Sequence, residues 1–454
     1  MRILKNSLDG ERPTPKDVLT LLEIKDPELL QELYRTANQI KNTIYGNRIV
    51  IFAPLYLSNF CQNECLYCAF RKGNLKLKRN SLDQNDIISE TKALLEQGHK
   101  RLLLVMGESN ENSSQLGLDY MIESISTIYS VECPTSSAAI TDTKHKNRIR
   151  RINVNMAPLS VEGFKKLQQS KIGTFQIFQE TYHQPTYKLV HPKGPKSDYD
   201  FRLHTIDRAF QAGIPDVGIG VLFGLHDYRY EILALLQHIT HLENTYGVGP
   251  HTISVPRIEP AFGSELSYNI PSAVDDETFC KIMAVLRIAV PYTGIILSTR
   301  ENKETRTKAL QLGISQISAG SRTNPGGYSD FKNDDKRDAE QFSLGDHRTL
   351  LEVIKDLTSL GYIPSFCTGC YRKGRVGKDF MDLAEPGAIK NHCQANAILT
   401  FSEYLQDFAD PQLVERGEKL IEQTIHKEWQ SNSYISNLRN TLTSIKNGER
   451  DIYL

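Results

Sequence analysis

The sequence predicts an α/β fold, a closed (β/α)8 barrel of the TIM type, from three observations. Eight short runs rich in β-branched and apolar residues follow one another along the chain, and most are separated by amphipathic stretches of helical length. Strands that alternate with helices indicate a parallel sheet, and eight such units suggest that the sheet closes on itself. A doubly wound open sheet is the alternative.

The predicted elements divide the chain into three parts. Residues 1–47 carry leucines and isoleucines at helical spacing and form an N-terminal helical extension. The barrel, residues 48–345, contains the eight predicted strands, which are Ile49–Leu57, Arg101–Val105, Ile152–Met156, Thr174–Phe178, Val217–Leu222, Thr252–Val255, Ile295–Ser298 and Ile314–Ser318. After residue 345 the alternation ends. We expect a mainly helical C-terminal domain over 346–454, interrupted by a glycine-rich, loop-like segment over 363–393.

Charge and hydropathy exclude several classes of function. The 454 residues carry 54 Lys and Arg against 54 Asp and Glu, so the formal net charge is zero, which argues against nucleic acid or an anionic membrane as the main partner. No apolar run approaches the roughly 18 residues that a membrane span needs. The N-terminal residues are charged where a signal peptide would be apolar, so we expect a cytoplasmic protein.

The cysteines form two groups. Cys61, Cys65 and Cys68 have the spacing C-x3-C-x2-C, whereas Cys367 and Cys370 form C-x2-C and Cys393 follows later. Structural zinc needs four ligands, and no fourth ligand lies near the first group; three thiolates suit a 4Fe–4S cluster with one open iron. The second group, by itself, is more typical of zinc. The two remaining cysteines, Cys133 and Cys280, are predicted to be buried thiols.

Polar side chains follow the strand ends where a barrel places its active site. Besides the first cysteine group, these are Gly107 and Glu108, Glu180, Arg257 and Glu259, Arg300, and Ser321 and Arg322. Their convergence predicts a site for an anionic or zwitterionic small molecule beside a redox cluster. His251 precedes its strand and therefore lies at the opposite mouth. It is either an ordinary core or surface histidine or a metal ligand that faces the C-terminal domain.

The segment CQNECLYCAF at 61–70 resembles the signature of the radical S-adenosylmethionine (SAM) family. Four further segments are similar to the branch of that family that cleaves tyrosine and matures FeFe-hydrogenase. They are FQETYHQPTYKLVHPKGPKSDYD at 178–200, DVGIGVLFGL at 216–225, GVGPHTISVPRIEPA at 247–261 and QISAGSRTNPGGY at 316–328. The second cysteine group also resembles this branch, and the related tyrosine lyases of thiazole synthesis (2-iminoacetate synthases) lack it.

This resemblance implies a role for each candidate residue. The first three cysteines would hold the SAM cluster, Tyr67 would lie against the adenine, and Gly107 and Glu108 would meet the SAM amino group. Glu180 would lie in the region of SAM and substrate. Ser321 and Arg322 would receive the tyrosine carboxylate, which a guanidinium binds well. Cys367, Cys370 and Cys393 would hold a second 4Fe–4S cluster, and His251 an additional iron that also has a cysteine ligand. Met106 departs from the glycine that many members have there.

The same resemblance implies the function. The enzyme would cleave the Cα–Cβ bond of L-tyrosine to p-cresol and dehydroglycine and form carbon monoxide and cyanide near the second cluster. Because the clusters lie at opposite mouths, an internal channel is expected. The partners would be SAM, a reduced electron donor and the hydrogenase maturation proteins. The alternatives are a tyrosine lyase of thiazole synthesis and a non-enzymatic iron–sulfur scaffold or carrier.

Overall fold

The structure, a computed structural model, describes residues 1–113, 116–134, 146–329 and 338–454. Eight parallel strands form a barrel, because the first strand pairs both with the second and with the last of them, Val50 lying opposite Gln316. The strands in chain order are β1 Arg48–Ser58, β2 Arg101–Met106, β3 Cys133–Pro134, β4 Lys146–Asn147, β5 Arg151–Asn155, β6 Phe175–Gln176, β7 Val217–Gly220, β8 Thr252–Ser254, β9 Gly294–Leu297, β10 Gln316–Ser318 and β11 Ile363–Ser365. All eight predicted strands are therefore present, and the open-sheet alternative is wrong.

Helices surround the barrel and cover its N-terminal end. They are α1 Arg2–Leu8, α2 Pro15–Leu22, α3 Pro27–Tyr45, α4 Gln84–Glu96, α5 Leu118–Ser130, α6 Val161–Gln169, α7 Gln184–Val190, α8 Tyr199–Leu203, α9 Thr205–Gln211, α10 Tyr228–Tyr246, α11 Asp276–Ala289, α12 Lys303–Leu310, α13 Leu350–Ser359, α14 Gly369–Arg372, α15 Lys378–Ala384, α16 Ile389–Phe408, α17 Pro411–Glu428 and α18 Asn432–Lys446. No helix among the described residues is both long and apolar enough to cross a membrane.

The barrel is held by burial on both faces of its strands. Every residue of β1 is buried, since one face meets the barrel interior and the other the surrounding helices. Most of the helices begin at side-chain caps that the sequence supplies, such as Asp83 before α4 and Asp275 before α11, whose carboxylates accept backbone N–H bonds. The sequence therefore sets both where the helices start and which of their faces is buried.

The C-terminal segment departs from the loop that the sequence predicted over 363–393. It contains the strand β11 and two short helices, and Cys393 lies on the long helix α16. β2 pairs with β1 only from Ala53 onward, so β1 has a free edge at Arg48–Val50, and β11 pairs there in parallel. A three-residue strand with a central proline forms only because this edge is open. Through β11 the C-terminal segment extends the barrel sheet, and the proposed division at 345/346 stays a prediction.

Candidate active site

The first cysteine group lies in the loop after β1, at the C-terminal mouth of the barrel. Cys61, Cys65 and Cys68 all line one cavity, which has a volume of about 190 Å³. The backbone N–H of Asn63 points to Cys61 Sγ at 3.5 Å, and the amide of Gln341 points to Cys68 Sγ at 3.8 Å. Hydrogen-bond donors of this kind typically surround the sulfurs of iron–sulfur clusters.

Burial makes the three thiols weak acids, and a bound cluster would hold them as thiolates. Burial raises the pKa of Cys61 to about 12 and raises the pKa values of Cys65 and Cys68 as well. Thiolates in such surroundings need a strongly positive partner, which iron supplies. Among the described residues, no three His, Cys, Asp or Glu side chains are arranged to hold a single metal ion. Three thiols on one cavity wall fit a cluster that takes three cysteine ligands.

The loop conformation depends on Gly107, which follows β2. A Cβ atom there would collide with the carbonyl oxygen of Phe60, next to Cys61. The backbone N–H of Gly107 donates to Ser58 O at 2.9 Å and so ties the end of β2 to the end of β1. A side chain at position 107 would push the cysteine loop away from the cavity, whereas Met106 is accommodated on the cavity wall.

A buried network of four charged side chains lines the cavity opposite the cysteines. Arg202 Nη1 donates to Glu108 Oε1 at 2.8 Å, and Lys196 Nζ donates to Glu180 Oε1 at 2.6 Å. The two pairs are joined, because Arg202 also lies 3.7 Å from Glu180 and Lys196 lies 3.9 Å from Glu108. Asn63 completes the network with a 2.8 Å hydrogen bond to Glu108 Oε2.

This network keeps Glu108 ionised. Burial alone would raise the pKa of Glu108, but Arg202 and then Lys196 outweigh it, and the pKa lies below its usual range. The pKa of Lys196 is raised, since Glu180 and the neighbouring groups outweigh the effects of burial and of Arg202. Both cations thus stay charged, and Glu108 can present a carboxylate to a positively charged ligand group.

Glu180 adopts a strained backbone conformation at the cavity wall. Its φ is +68°, in the left-handed region that residues with a long side chain rarely occupy. Its carbonyl accepts the N–H of Leu222 at 2.9 Å, which holds it against the end of β7. Such strain costs about 1–3 kcal/mol and is found mainly at functional sites.

Tyr67 is fixed on the cavity wall by a histidine that the sequence analysis missed. Its hydroxyl lies 2.8 Å from His191 Nε2, and His191 Nδ1 lies 3.0 Å from the carbonyl of Tyr187. Because a carbonyl accepts only, Nδ1 carries the proton and Nε2 accepts from Tyr67. Burial lowers the pKa of His191 well below its usual value, so this neutral tautomer persists.

The remaining predicted residues divide into two sets. Arg300 and Glu259 line the cavity; Arg300 stacks on Phe342 with 3.3 Å between guanidinium carbon and ring centroid, and burial raises the pKa of Glu259 to about 7. Arg257, in contrast, pairs with Glu301 and Asp276 and has a structural role.

Ser321 and Arg322 follow β10 but are not among the described residues that line the cavity, whereas their neighbour Thr323 is. The backbone N–H of Arg322 donates to the hydroxyl of Tyr328, which in turn donates to Pro54 O at 2.6 Å. Ser321 is buried, and its hydroxyl has no hydrogen-bond partner among the described residues. Their role at the tyrosine carboxylate stays a prediction.

The second cysteine group and His251 line a separate cavity at the N-terminal end of the barrel. Cys367, Cys370, Cys393 and His251 all border it, and its volume is about 50 Å³. His251 therefore faces the C-terminal segment, and its role as a metal ligand stays a prediction. Its ring packs 4.3 Å from that of Phe380, and its Nδ1 is buried without a hydrogen-bond partner in the described part of the chain.

The charge of the second cavity suits an anionic occupant. Arg48 and Arg101 border it, and no Asp or Glu does so among the described residues. Nε and Nη1 of Arg48 are buried without partners there, which is costly unless a bound group accepts from them. A hydrogen bond from Cys370, assisted by Arg48 against the effect of burial, lowers the pKa of Cys393 to about 6. Three thiols beside a guanidinium with two donors still unpaired among the described residues fit an anionic iron–sulfur cluster.

Comparisons with known proteins agree with this geometry. The profile of the radical SAM superfamily matches residues 55–239, and that of the biotin and thiamin synthesis associated domain matches 254–363. The 2-iminoacetate synthase of Escherichia coli (strain K12) is 31% identical over 362 residues, which cover 80% of this chain and 89% of that protein.

Solved structures resemble the chain over its full length. A crystal structure of HydG, a maturase of the [FeFe]-hydrogenase, superposes with a TM-score of 0.92 at 46% identity and covers 100% of this chain and 94% of that chain. HydG from Carboxydothermus hydrogenoformans gives a TM-score of 0.82 at 40% identity, covering 98% and 93%. The second cysteine group lies beyond both profile matches but within the HydG superpositions. The chain therefore belongs to the radical SAM superfamily and, within it, to the HydG family.

Proposed function

We propose that this chain is a radical SAM lyase that cleaves the Cα–Cβ bond of L-tyrosine to p-cresol and dehydroglycine and then forms carbon monoxide and cyanide for assembly of the FeFe-hydrogenase active site. One observation carries the proposal: a full-length HydG fold has two cysteine groups, each on its own cavity, at opposite ends of one barrel.

At the C-terminal mouth, Cys61, Cys65 and Cys68 would hold the first cluster. When bound there, the cluster and SAM together supply a 5′-deoxyadenosyl radical. The chain's own residues position the reactants: Glu108 offers an ionised carboxylate to the SAM amino group, and Tyr67, fixed by His191, offers an aromatic face to the adenine. Buried walls exclude water from this region, which protects a reactive radical.

Tyrosine would lie in the same cavity, where the wall carries cations for its carboxylate. Arg300 is half-buried on this wall, and Arg322 follows the adjacent strand end. Glu180, held by Lys196, lies on the side where β6 and β7 end. These groups orient the substrate and bring its amino group to the centre of the cavity, where hydrogen abstraction takes place.

At the N-terminal end, Cys367, Cys370 and Cys393 would hold a second 4Fe–4S cluster. His251, whose Nδ1 has no hydrogen-bond partner in the described part of the chain and lies 3.8 Å from Asp216 Oδ2, would bind an additional iron together with a cysteine ligand. Arg48 and Arg101 would neutralise the charge of this centre. Carbon monoxide and cyanide would be collected there.

The two cavities approach each other inside the barrel. On β1, Val50 borders the second cavity and Phe52 borders the first. On β10, Gln316 borders the second cavity and Ser318 borders the first. Residues two apart on a strand are separated by roughly 7 Å, so one layer of side chains lies between the cavities. That layer includes Gln176, whose Oε1 is unpaired among the described residues. A thin, partly polar layer supports a route for dehydroglycine.

Anaerobic reconstitution with iron and sulfide, followed by product analysis with SAM and tyrosine, tests the proposal. We expect 5′-deoxyadenosine, p-cresol, carbon monoxide and cyanide. Cys65→Ala should abolish all four, whereas Cys280→Ala, a buried thiol outside both groups, should retain them. An absence of 5′-deoxyadenosine with the cluster in place would instead favour an iron–sulfur scaffold or carrier.

The similarity to 2-iminoacetate synthase supports a second candidate, a tyrosine lyase that stops at dehydroglycine. A Cys393→Ser variant that still gives the full yield of carbon monoxide would favour it. Hydrogenase maturation proteins and a reduced electron donor are the proposed partners.

A further inference from the structure

Lysines are concentrated on the surface around the first cysteine loop. We define the basic rim as five exposed lysines, which are Lys72, Lys76, Lys78, Lys188 and Lys193. The chain as a whole has no net charge, and the segment 71–79 carries five basic residues and no acidic one. The rim is therefore a local excess of positive charge at the edge of the active site.

Backbone hydrogen bonds place the rim on both sides of the cysteine loop. Lys72 N–H donates to Asn63 O at 2.7 Å on one side. On the other side, Glu64 N–H donates to Lys193 O at 3.0 Å, and Leu66 N–H donates to Val190 O at 3.0 Å. The two lysine-bearing segments thus flank the residues that would hold the first cluster.

No ion pair within the described part of the chain accounts for the charge of the rim lysines. None pairs with an acidic side chain among the residues that the structure describes, whereas the neighbouring Arg71 pairs with Glu64 at 2.6 Å. Arg79 donates to backbone carbonyls instead, among them Phe70 O at 2.8 Å. Of the described acidic residues nearby, Glu64 is paired with Arg71, and the exposed Asp338 accepts Lys78 N–H through its backbone carbonyl.

Exposed apolar side chains lie within the same surface. Leu75, between Lys72 and Lys76, is 94% exposed; Leu189 is 69% exposed and Phe60, next to Cys61, is 42% exposed. A charged rim around exposed apolar groups is the composition of a transient protein interface. Cys61 and Cys68 are themselves partly exposed, so this surface also gives short access to the cluster ligands.

We propose that the basic rim docks an acidic, one-electron carrier protein that reduces the first cluster. The inference rests on the proposed function, because that reaction consumes electrons. One electron is needed to cleave SAM to methionine and the 5′-deoxyadenosyl radical. That radical takes a hydrogen atom from tyrosine and becomes 5′-deoxyadenosine; when the Cα–Cβ bond then breaks, the C7H7O radical fragment needs a second electron and a proton to become p-cresol. The carrier must therefore return within each turnover, and electrostatic attraction accelerates such repeated encounters.

The test compares two reductants on one set of variants. The triple variant Lys72→Glu/Lys76→Glu/Lys193→Glu reverses the rim, and the corresponding glutamine variant removes its charge more gently. We use an acidic flavodoxin, kept reduced by its NADPH-dependent reductase, as the probe, and dithionite as the small reductant. At low salt, we expect the reversed rim to raise the Kd for flavodoxin and to lower the flavodoxin-driven rate of p-cresol formation, each at least about tenfold. The dithionite-driven rate should stay within about twofold of that of the unaltered chain.

A matched control reverses three exposed lysines elsewhere, Lys16, Lys419 and Lys427. Equal weakening by this control, an unchanged Kd in the rim variant, or an equal loss of the dithionite-driven rate would each overturn the proposal. So would self-association of the chain that disappears on reversal while the flavodoxin Kd stays the same. If the unaltered chain makes no p-cresol with dithionite, the proposed function fails instead, and the flavodoxin titration still decides about the rim.

Discussion

Glu108 shows what a single residue contributes to this site. Its carboxylate stays ionised in a buried place because Arg202 and Lys196 surround it, so it can bind a cation at any pH near neutrality. In Glu108→Gln this charge is lost. We expect the Kd of the reconstituted enzyme for SAM to rise about tenfold, equivalent to about 1.4 kcal/mol, as measured by calorimetry. Exposed Glu265→Gln is the control, and an unchanged Kd for Glu108→Gln would remove Glu108 from the SAM site.

For single residues, the sequence predicted the cysteines and carboxylates of the site but not the side chains that hold those carboxylates and Tyr67 in place. The cysteines, Glu108 and Glu180 could be predicted because a motif or a strand end marks them. Lys196, Arg202 and His191 lie in a long connection between strands, where no spacing assigns them a direction. Only the folded chain shows that this connection returns across the mouth of the barrel, where it brings Lys196 and Arg202 to the cavity and His191 to the hydroxyl of Tyr67.

At the scale of the element, helix α10 places a buried carboxylate, that of Glu231, against the residues that follow Glu180. Glu231 accepts hydrogen bonds from Thr181 Oγ1 and Tyr182 N, and burial raises its pKa from 4.5 to about 7. The folded chain therefore holds this proton more tightly than the unfolded chain, and the stability falls as the pH rises from about 4.5 through 7. The loss amounts to about 3 kcal/mol.

Glu231→Gln cannot ionise and should escape this loss. The free energy of unfolding of the metal-free chain is measured in urea at pH 5 and at pH 8. The difference in this free energy between the variant and the unaltered chain should shift by about 3 kcal/mol in favour of the variant from pH 5 to pH 8. Glu277→Gln, an exposed position on α11, should show no such gain. A parallel pH dependence of Glu231→Gln and the unaltered chain would contradict the assignment.

Helix α16 carries the ligand that completes the second cysteine group. Cys393 is buried on this helix, whereas Cys370 lies in the short helix α14 and Cys367 just before it. Cys393→Ser should lower the iron content after reconstitution by roughly half, reduce the yield of carbon monoxide at least about tenfold, and leave p-cresol within about twofold. Cys280→Ser is the control. Equal loss of both products would show that the two sites do not work separately.

The strands that coincide with a single hydrophobic run of the sequence were predicted well. β11 could not be predicted, because Ile363-Pro364-Ser365 has no strand pattern and pairs only where β1 extends past β2. The start of α16 was missed for a related reason: residues 389–393 follow a glycine-rich stretch, and they join the helix because its face packs against β11 and α3. In both cases tertiary contacts outweigh local propensity.

For the whole molecule, the sequence predicted a closed barrel with chemistry at both mouths, but not how thin the layer between them is. The strand periodicity tells which side chains point inward; it does not tell how much of the interior they fill. Gly218 and Gly294 leave space beside Gln176 and Gln316, and this space decides whether a small intermediate can pass from one cavity to the other.

Gly294→Ala tests that passage. A Cβ atom at this position would collide with the side-chain amide of Gln316, the flexible end of a residue that borders the second cavity, so the amide is pushed into the interior. We expect p-cresol formation to stay within about twofold and carbon monoxide formation to fall severalfold, since dehydroglycine is made but not delivered and is released to solvent as glyoxylate. Gly163 lies on the outer helix α6, where a Cβ atom would meet the end of the Glu111 side chain. Gly163→Ala therefore applies the same replacement outside the barrel and should change neither product. Undiminished carbon monoxide in Gly294→Ala, with thermal unfolding confirming an intact fold, would mean that dehydroglycine reaches the second site by a route other than the barrel interior.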